Sequence, residues 1–341
     1  MVDDDHRRNE RRRTIMVRYG HCIGAAAMAA ALLMAGLTTA QAQAYPTRTV
    51  RLVVPFAPGG STDIVARLLA PQLSMNLGQS VVVDNRGGGG ATIGMDIVAK
   101  SPPDGHTLGI ATLTFALNPS LFAKMPYDSE RDFVPVSLVS VMPFVMMIHP
   151  SVPARTVKEL VALAKSKPGA LNFSSSGIGS ASQMAVELVK YMTGTDMTHI
   201  GYTGGGPALT ALLSGQVSIF TGSILAGLSH FKSGRLIPLG VTGTHRNSAI
   251  PDVPTIAESG LPGYDLQEYQ GIMVPAGTPP AVVKRLNSDI VKALSVPELK
   301  ERFTTQGAQV IGSTPEQLTA HIKTQTGLWG KVIKSAGIKL H

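Results

Sequence analysis

Cysteine is nearly absent. The 341-residue chain has one, Cys22, which excludes a disulfide framework and any cysteine-based zinc site. Aromatic residues are scarce at 5 %, and beyond the N-terminal segment no run of five or six like charges occurs. Neither a basic footprint nor a stacking platform for nucleic acid is therefore present, despite a net charge of +8. The histidines at 106, 149, 199, 230, 245, 321 and 341 are dispersed with no His-x-x-x-His pair, so no metal is expected. A Gly-Lys-Ser/Thr phosphate loop and a Gly-x-Ser-x-Gly elbow are both missing. Gly88-x-Gly90-x-x-x-Gly94 follows the second strand of its unit rather than the first, with the wrong spacing for a dinucleotide fingerprint. No cofactor is expected.

What is abundant is apolar surface and glycine. Apolar residues make up 44 % of the chain, and it holds 36 Gly and 23 Pro. That core is ample for two domains and rules out a disordered chain. The first forty-four residues read as an address. Six arginines between Arg7 and Arg18 precede an uncharged apolar run from Ile23 to Leu37, and Ala40-Gln41-Ala42 and Ala42-Gln43-Ala44 follow. This is the pattern of a secretory signal peptide, residues 1–44, cleaved near Ala42 or Ala44. Met16 is a plausible alternative start for it. Removing the segment takes away six arginines, four acidic residues and Cys22, lowering the net charge from +8 to +6. No later apolar run reaches eighteen residues, too short for a membrane span.

The rest alternates strand and helix. Val50 to Phe56 reads as a buried strand, Ala57-Pro58-Gly59-Gly60 as a turn, and Ser61 or Thr62 as the cap of a helix carrying Ile64, Val65, Leu68, Leu69 and Leu73. Gly78 ends that helix and Val81-Val82-Val83 is the next strand, a β-α-β start that argues for a parallel sheet in an α/β fold. Further strands are expected at 107–112, 143–149, 171–174, 217–220 and 236–241. Capping-box patterns open helices at Thr156 and Ser180. Pro207 marks a helix start and Gly215 its end. Three C-terminal helices are expected near 280–294, 297–305 and 315–335.

Three loops share one design: Phe56 to Asp63, Asn85 to Gly94 and Ser174 to Gln183. Each follows a strand, is rich in glycine or serine, and feeds a helix N-terminus. Such an end offers unpaired N–H groups and about half a positive charge, so it can hold a carboxylate or phosphate without a side-chain cation. Arg86, the one basic residue in these loops, reads as a solvated charge. Met142, Met146 and Met147 read as core.

The run Tyr45 to Asp63 (YPTRTVRLVVPFAPGGSTD) resembles the mature start of the Bug family, periplasmic solute-binding proteins of the tripartite tricarboxylate transporter type. The likeness continues in Val83-Asp84-Asn85-Arg86, in Ser101 to Leu108, in Pro207 to Val217 and in Val274 to Pro279. It implies a two-lobe, type II periplasmic-binding-protein fold, with mixed, mostly parallel sheets, flanking helices and a ligand in the interlobe cleft. Lobe one would take 45–143 and 270–341, and lobe two 144–269. The resemblance places Phe56, Ala57, Gly60, Ser61 and Thr62 on one side of the ligand and Ser174, Ser176, Gly177 and Ser180 on the other. Ala111, Thr112 and Thr114 would form the floor, with Tyr202, Gly204 and Pro207 as the lobe-two wall. The implied protein is a non-enzymatic, monomeric receptor in the periplasm. It would capture a small organic carboxylate and pass it to membrane transporter subunits. Two departures stand out. Thr221-Gly222-Ser223 follows Phe220 where members often carry Asp, and Gly87 to Gly90 replaces a Pro-Gly-Ala-Gly-Gly loop. A partner of a membrane sensor kinase and a secreted serine hydrolase built on Ser174-Ser175-Ser176 are the rival readings.

Overall fold

A computed structural model describes residues 45–305, 307–336 and 338; the signal-peptide segment lies outside them. The chain divides into Met1–Thr47 and Arg48–His341, and every element below belongs to the second unit. β1 (Val50–Val54) pairs in parallel with β2 (Val81–Asn85) and β3 (Thr107–Ala111). Between them run α1 (Ser61–Leu77) and α2 (Thr92–Ala99). Of the α1 stripe, Val65, Leu68, Leu69 and Leu73 are buried as the spacing predicts, and Ile64 is half-buried. Gly78, at φ 72°, closes α1 with its N–H on Ser74 O, a left-handed cap that glycine adopts without strain.

A second parallel set lies further along the chain. β5 (Asn172–Ser175) pairs with β6 (Thr198–Gly201) and β7 (Ile219–Ser223). Its helices are α4 (Val157–Ser166), α5 (Ala181–Thr193), α6 (Gly205–Leu213) and α7 (Ile224–Lys232). Between β3 and this set comes α3 (Leu113–Leu121). The C-terminal helices α8 (Pro280–Leu294), α9 (Pro297–Thr305) and α10 (Pro315–Ala336) fall where the sequence pattern puts them. Thr314 and Gln317 form a reciprocal capping box at the start of α10.

Two long strands join the parallel sets. β4 (Phe133–Ile148) pairs antiparallel with β9 (Gln267–Pro275) over Phe133 to Pro143. From Phe144 it pairs with β7 and with β8 (Ile237–Val241). The changeover falls at Pro143, which has no N–H to give a ladder. The next amide, Phe144 N, donates to Thr242 Oγ1 at 2.8 Å. The sheet order is β2-β1-β3-β9-β4-β7-β5-β6, with β8 and the short β10 (Gln309–Val310) both on β4. The expectation of mostly parallel sheets holds at both ends. The centre is antiparallel, because a strand that crosses between the two sets and one that returns must run in opposite directions.

Candidate functional site

The first loop leaves β1 at Val54 and turns at Gly59, whose φ of 87° suits glycine. α1 then begins at Ser61 with Gly60, not Ser61 or Thr62, at the cap position, and no side chain caps it. The first-turn amides are thus left without an acceptor from the cap. Asp63 does not fill the gap. Its carboxylate accepts from Gly59 N at 3.0 Å, Asn85 Nδ2 at 2.9 Å and Arg67 Nε at 3.0 Å. Burial raises its pKa, but those partners outweigh it and hold the group below the usual carboxylate range.

The Ser174–Gln183 loop is built differently. Ser180 caps α5, its Oγ accepting from Gln183 N at 3.3 Å, and Gln183 Oε1 reaches back to Gly179 N at 2.8 Å. Ser182 Oγ accepts from Ser176 N at 2.8 Å and contacts the hydroxyls of Ser176 and Ser180. This N-terminus has already spent its polar groups on itself. Of the other uncapped helices, two border the same space as α1. α6, behind Gly204, and α7, behind Ser223, carry no side-chain cap and no acidic residue in the first turn.

These three uncapped ends, of α1, α6 and α7, open on one narrow cavity. Gly59, Gly60, Ser61 and Thr62 line it from α1, Gly205 from α6, and Thr221, Gly222, Ser223 and Ala226 from β7 and α7. Ser176 and Ser182 complete that side. Phe56, Phe144 and Phe220 form apolar wall, and Glu268 of β9 borders it. No Lys, Arg or His is among the lining residues. The loops meet directly across the gap. Ala57 N donates to Thr203 O at 3.0 Å. A Cβ at Gly206 would stand 2.4 Å from Pro58 O, and one at Gly204 2.8 Å from Ala57 N, so this seam closes only because glycines form it.

Of the residues singled out in the sequence, Phe56, Gly60, Ser61, Thr62 and Ser176 come together in the cavity. Ala57 and Gly204 belong to the seam beside it. Gly177 and Tyr202 line a separate, wider groove with Gly88 to Ala91. Ser174 is buried in β5 and donates to Ala208 O at 3.1 Å. Ser180 is buried as the α5 cap, Pro207 sits in the first turn of α6, and Thr112 and Thr114 are buried at the start of α3. None of these last four, nor Ala111, borders the cavity. Arg86 is exposed and paired with Asp84 at 2.9 Å. Sequence reasoning did not mark Glu268, Phe144, Ser182 or Gly205. The one local hint for Glu268 is an acid beside the apolar run of β9.

The serine loop also meets a histidine that its sequence neighbourhood does not contain. Ser175 Oγ lies 2.6 Å from His199 Nε2, accepts from Gly177 N at 3.2 Å and donates to Gly177 O at 3.0 Å. Which of Ser175 and His199 donates in that contact is set by the imidazole tautomer. Ser175 is fully buried. Burial, then the charge of Lys190, lowers the His199 pKa to about 4. The cluster is a staple that shapes the loop.

Fold and cavity together define a solute-binding receptor of the periplasmic binding-protein class. The sequence profile described as "Tripartite tricarboxylate transporter family receptor" matches residues 65–338, and the chain belongs to that family. Three solved relatives superpose on it closely. The periplasmic binding protein BugD is 35 % identical, covering 86 % of this chain and 99 % of its own, at a TM-score of 0.84. An R. palustris protein with adipate is 36 % identical over the same shares, also at 0.84. MatC from Rhodopseudomonas palustris, with bound malate, is 33 % identical, covering 85 % of this chain and 100 % of its own, at 0.82. Among the described residues no helix is long and apolar enough to cross a membrane.

Proposed function

We propose that this protein captures a small organic carboxylate in the cavity between the parallel sets and delivers it to a tripartite tricarboxylate-type transporter in the membrane. The observation that carries this is the convergence of three uncapped helix N-termini on a cavity lined by no basic side chain. Each end contributes N–H donors and part of a positive charge, and exclusion of water by the closed seam strengthens both. The phenylalanines would cover the carbon skeleton. Ser61, Thr62 and Ser176 hydroxyls would complete the hydrogen bonding. The adipate and malate of the two relatives support the ligand class.

On this reading, 45–143 with 270–341 and 144–269 act as lobes that close on the ligand through β4 and β9. Residues 1–44 direct export, with cleavage near Ala42 or Ala44, and the mature receptor works as a monomer. The test is a thermal-shift screen of organic acids on the purified protein, followed by calorimetry, since a ligand of the folded state raises its stability by mass action. Saturable binding of a carboxylate, lost in Gly60→Asp, is the expected result. Absence of any carboxylate ligand would refute the reading.

A further inference from the structure

Glu268 is the one ionisable residue bordering the cavity. It is 4 % exposed and rigidly held. Its Oε1 accepts from Leu113 N at 2.8 Å and from Tyr269 N at 3.0 Å. Leu113 opens α3, so the carboxyl occupies the N-terminus of a fourth helix, as a bound anion would. Oε2 has no hydrogen-bond partner among the described residues, although the residue borders the space that a ligand would fill. On the same wall Thr221 Oγ1 is buried with no partner among the described residues. A buried polar atom left unpaired is costly, so Thr221 Oγ1, beside the free oxygen of Glu268 on the cavity wall, points to a ligand that completes them.

The chemistry of that ligand follows from the charges around Glu268. The flanking β3, β4, β7 and α3 contain no ionisable residue. On α1 Asp63 is held by Arg67, and on α10 His321 packs edge-on against the Tyr269 ring. Nothing in the cavity wall therefore neutralises an ionised Glu268. A ligand group that brings only a second negative charge is disfavoured there. A hydroxyl or ammonium gives Oε2 the proton that it lacks, and the ammonium adds an ion pair in a poorly solvated site.

Granted a carboxylate at the helix N-termini, we propose that Glu268 makes the receptor selective for acids that also carry a hydrogen-donating group, a hydroxyl or an ammonium, over plain dicarboxylates of the same length. Burial raises the Glu268 carboxyl to about 7, against the two backbone donors that lower it. The preference should therefore sharpen as pH rises through neutrality and the carboxylate form takes over.

The experiment is calorimetry with two matched sets: succinate, malate and aspartate, then adipate and 6-aminohexanoate. The unaltered protein should bind the donor-bearing member of a set at least ~10-fold tighter than its plain counterpart. From about pH 6.5 to about pH 8.5 the aspartate or aminohexanoate affinity should rise and that of the plain diacid fall. Glu268→Gln keeps an acceptor for Leu113 N and Tyr269 N but turns a donor toward the cavity. It should cut the preference by at least ~10-fold and flatten the pH trend. The pH series on the unaltered protein decides the matter even if the variant does not fold. Binding with no preference for donor-bearing acids, or a preference unmoved by both pH and the variant, would overturn the inference and leave the carboxylate site standing. Failure of every acid to bind would overturn both.

Discussion

The N-termini of α1 and α5 start from the same plan, a strand that ends in a glycine- and serine-rich turn and a helix that follows at once. They end in opposite states. At α5 Ser180, Ser182 and Gln183 satisfy the amides of Gln183, Ser176 and Gly179 from within the segment. At α1 a glycine occupies the cap position, and the one acidic residue nearby takes Gly59 N, Arg67 and Asn85 but none of the first-turn amides. A capped end is finished structure, whereas an uncapped end beside a cavity is a site. On the proposed reading, the partners of α1 across the seam that face the ligand are α6 and α7. The serine loop contributes Ser176 and Ser182 hydroxyls rather than a helix dipole.

Substitutions can convert one kind of end into the other. The largest effect is expected from Gly60→Asp, which places a capping carboxylate on α1 where the ligand's would lie. Affinity for the carboxylate that binds the unaltered protein should fall at least ~100-fold, about 3 kcal/mol, while the unliganded protein melts no lower. Survival of binding in calorimetry would break the comparison. Thr221→Val removes a buried hydroxyl that has no protein partner. It should weaken binding about 10-fold, yet leave the unliganded fold unchanged or more stable by up to ~1 kcal/mol in urea melts.

The reverse change is milder. Ser180→Ala uncaps α5 and should cost about 1 kcal/mol of stability with affinity held within about threefold. A large loss of affinity instead would place the ligand at α5. The smallest effect belongs to the staple beneath that loop. The His199 pKa lies below its unfolded value, so the folded state favours the neutral ring. Its contribution is fully present above about pH 6.5 and is lost as pH falls toward about 4. His199→Gln should flatten that part of the stability profile, read by thermal melts at stepped pH.

Much of the fold was legible because its signals are local. The stripe of α1, the Gly78 stop and the capping residues Thr156, Ser180 and Thr314 each act within a few positions. β6 and α7 were missed as well as α3, β9 and the early part of β4, and the last three lack such signals. α3 is buried along Leu113 to Asn118 and carries Pro119, so it shows no polar face. The early part of β4 and all of β9 are nearly continuous buried strand with no alternation to mark them. The family resemblance put Thr112 and Thr114 on the floor, but both are buried at the start of α3 and neither borders the cavity.

By itself the sequence determined the family, the alternation of strands and helices, and the capped ends at Thr156, Ser180 and Thr314, whose signals lie within a turn, but it put a cap at Ser61 or Thr62 where the structure has Gly60 and no capping side chain. Only the tertiary structure decided which uncapped ends share a cavity and that an acid stands among them. Leu113 and Glu268 are 155 residues apart and meet only where β9 returns beside β3. The chemistry of the site is set by that crossing, which no short stretch of the chain encodes.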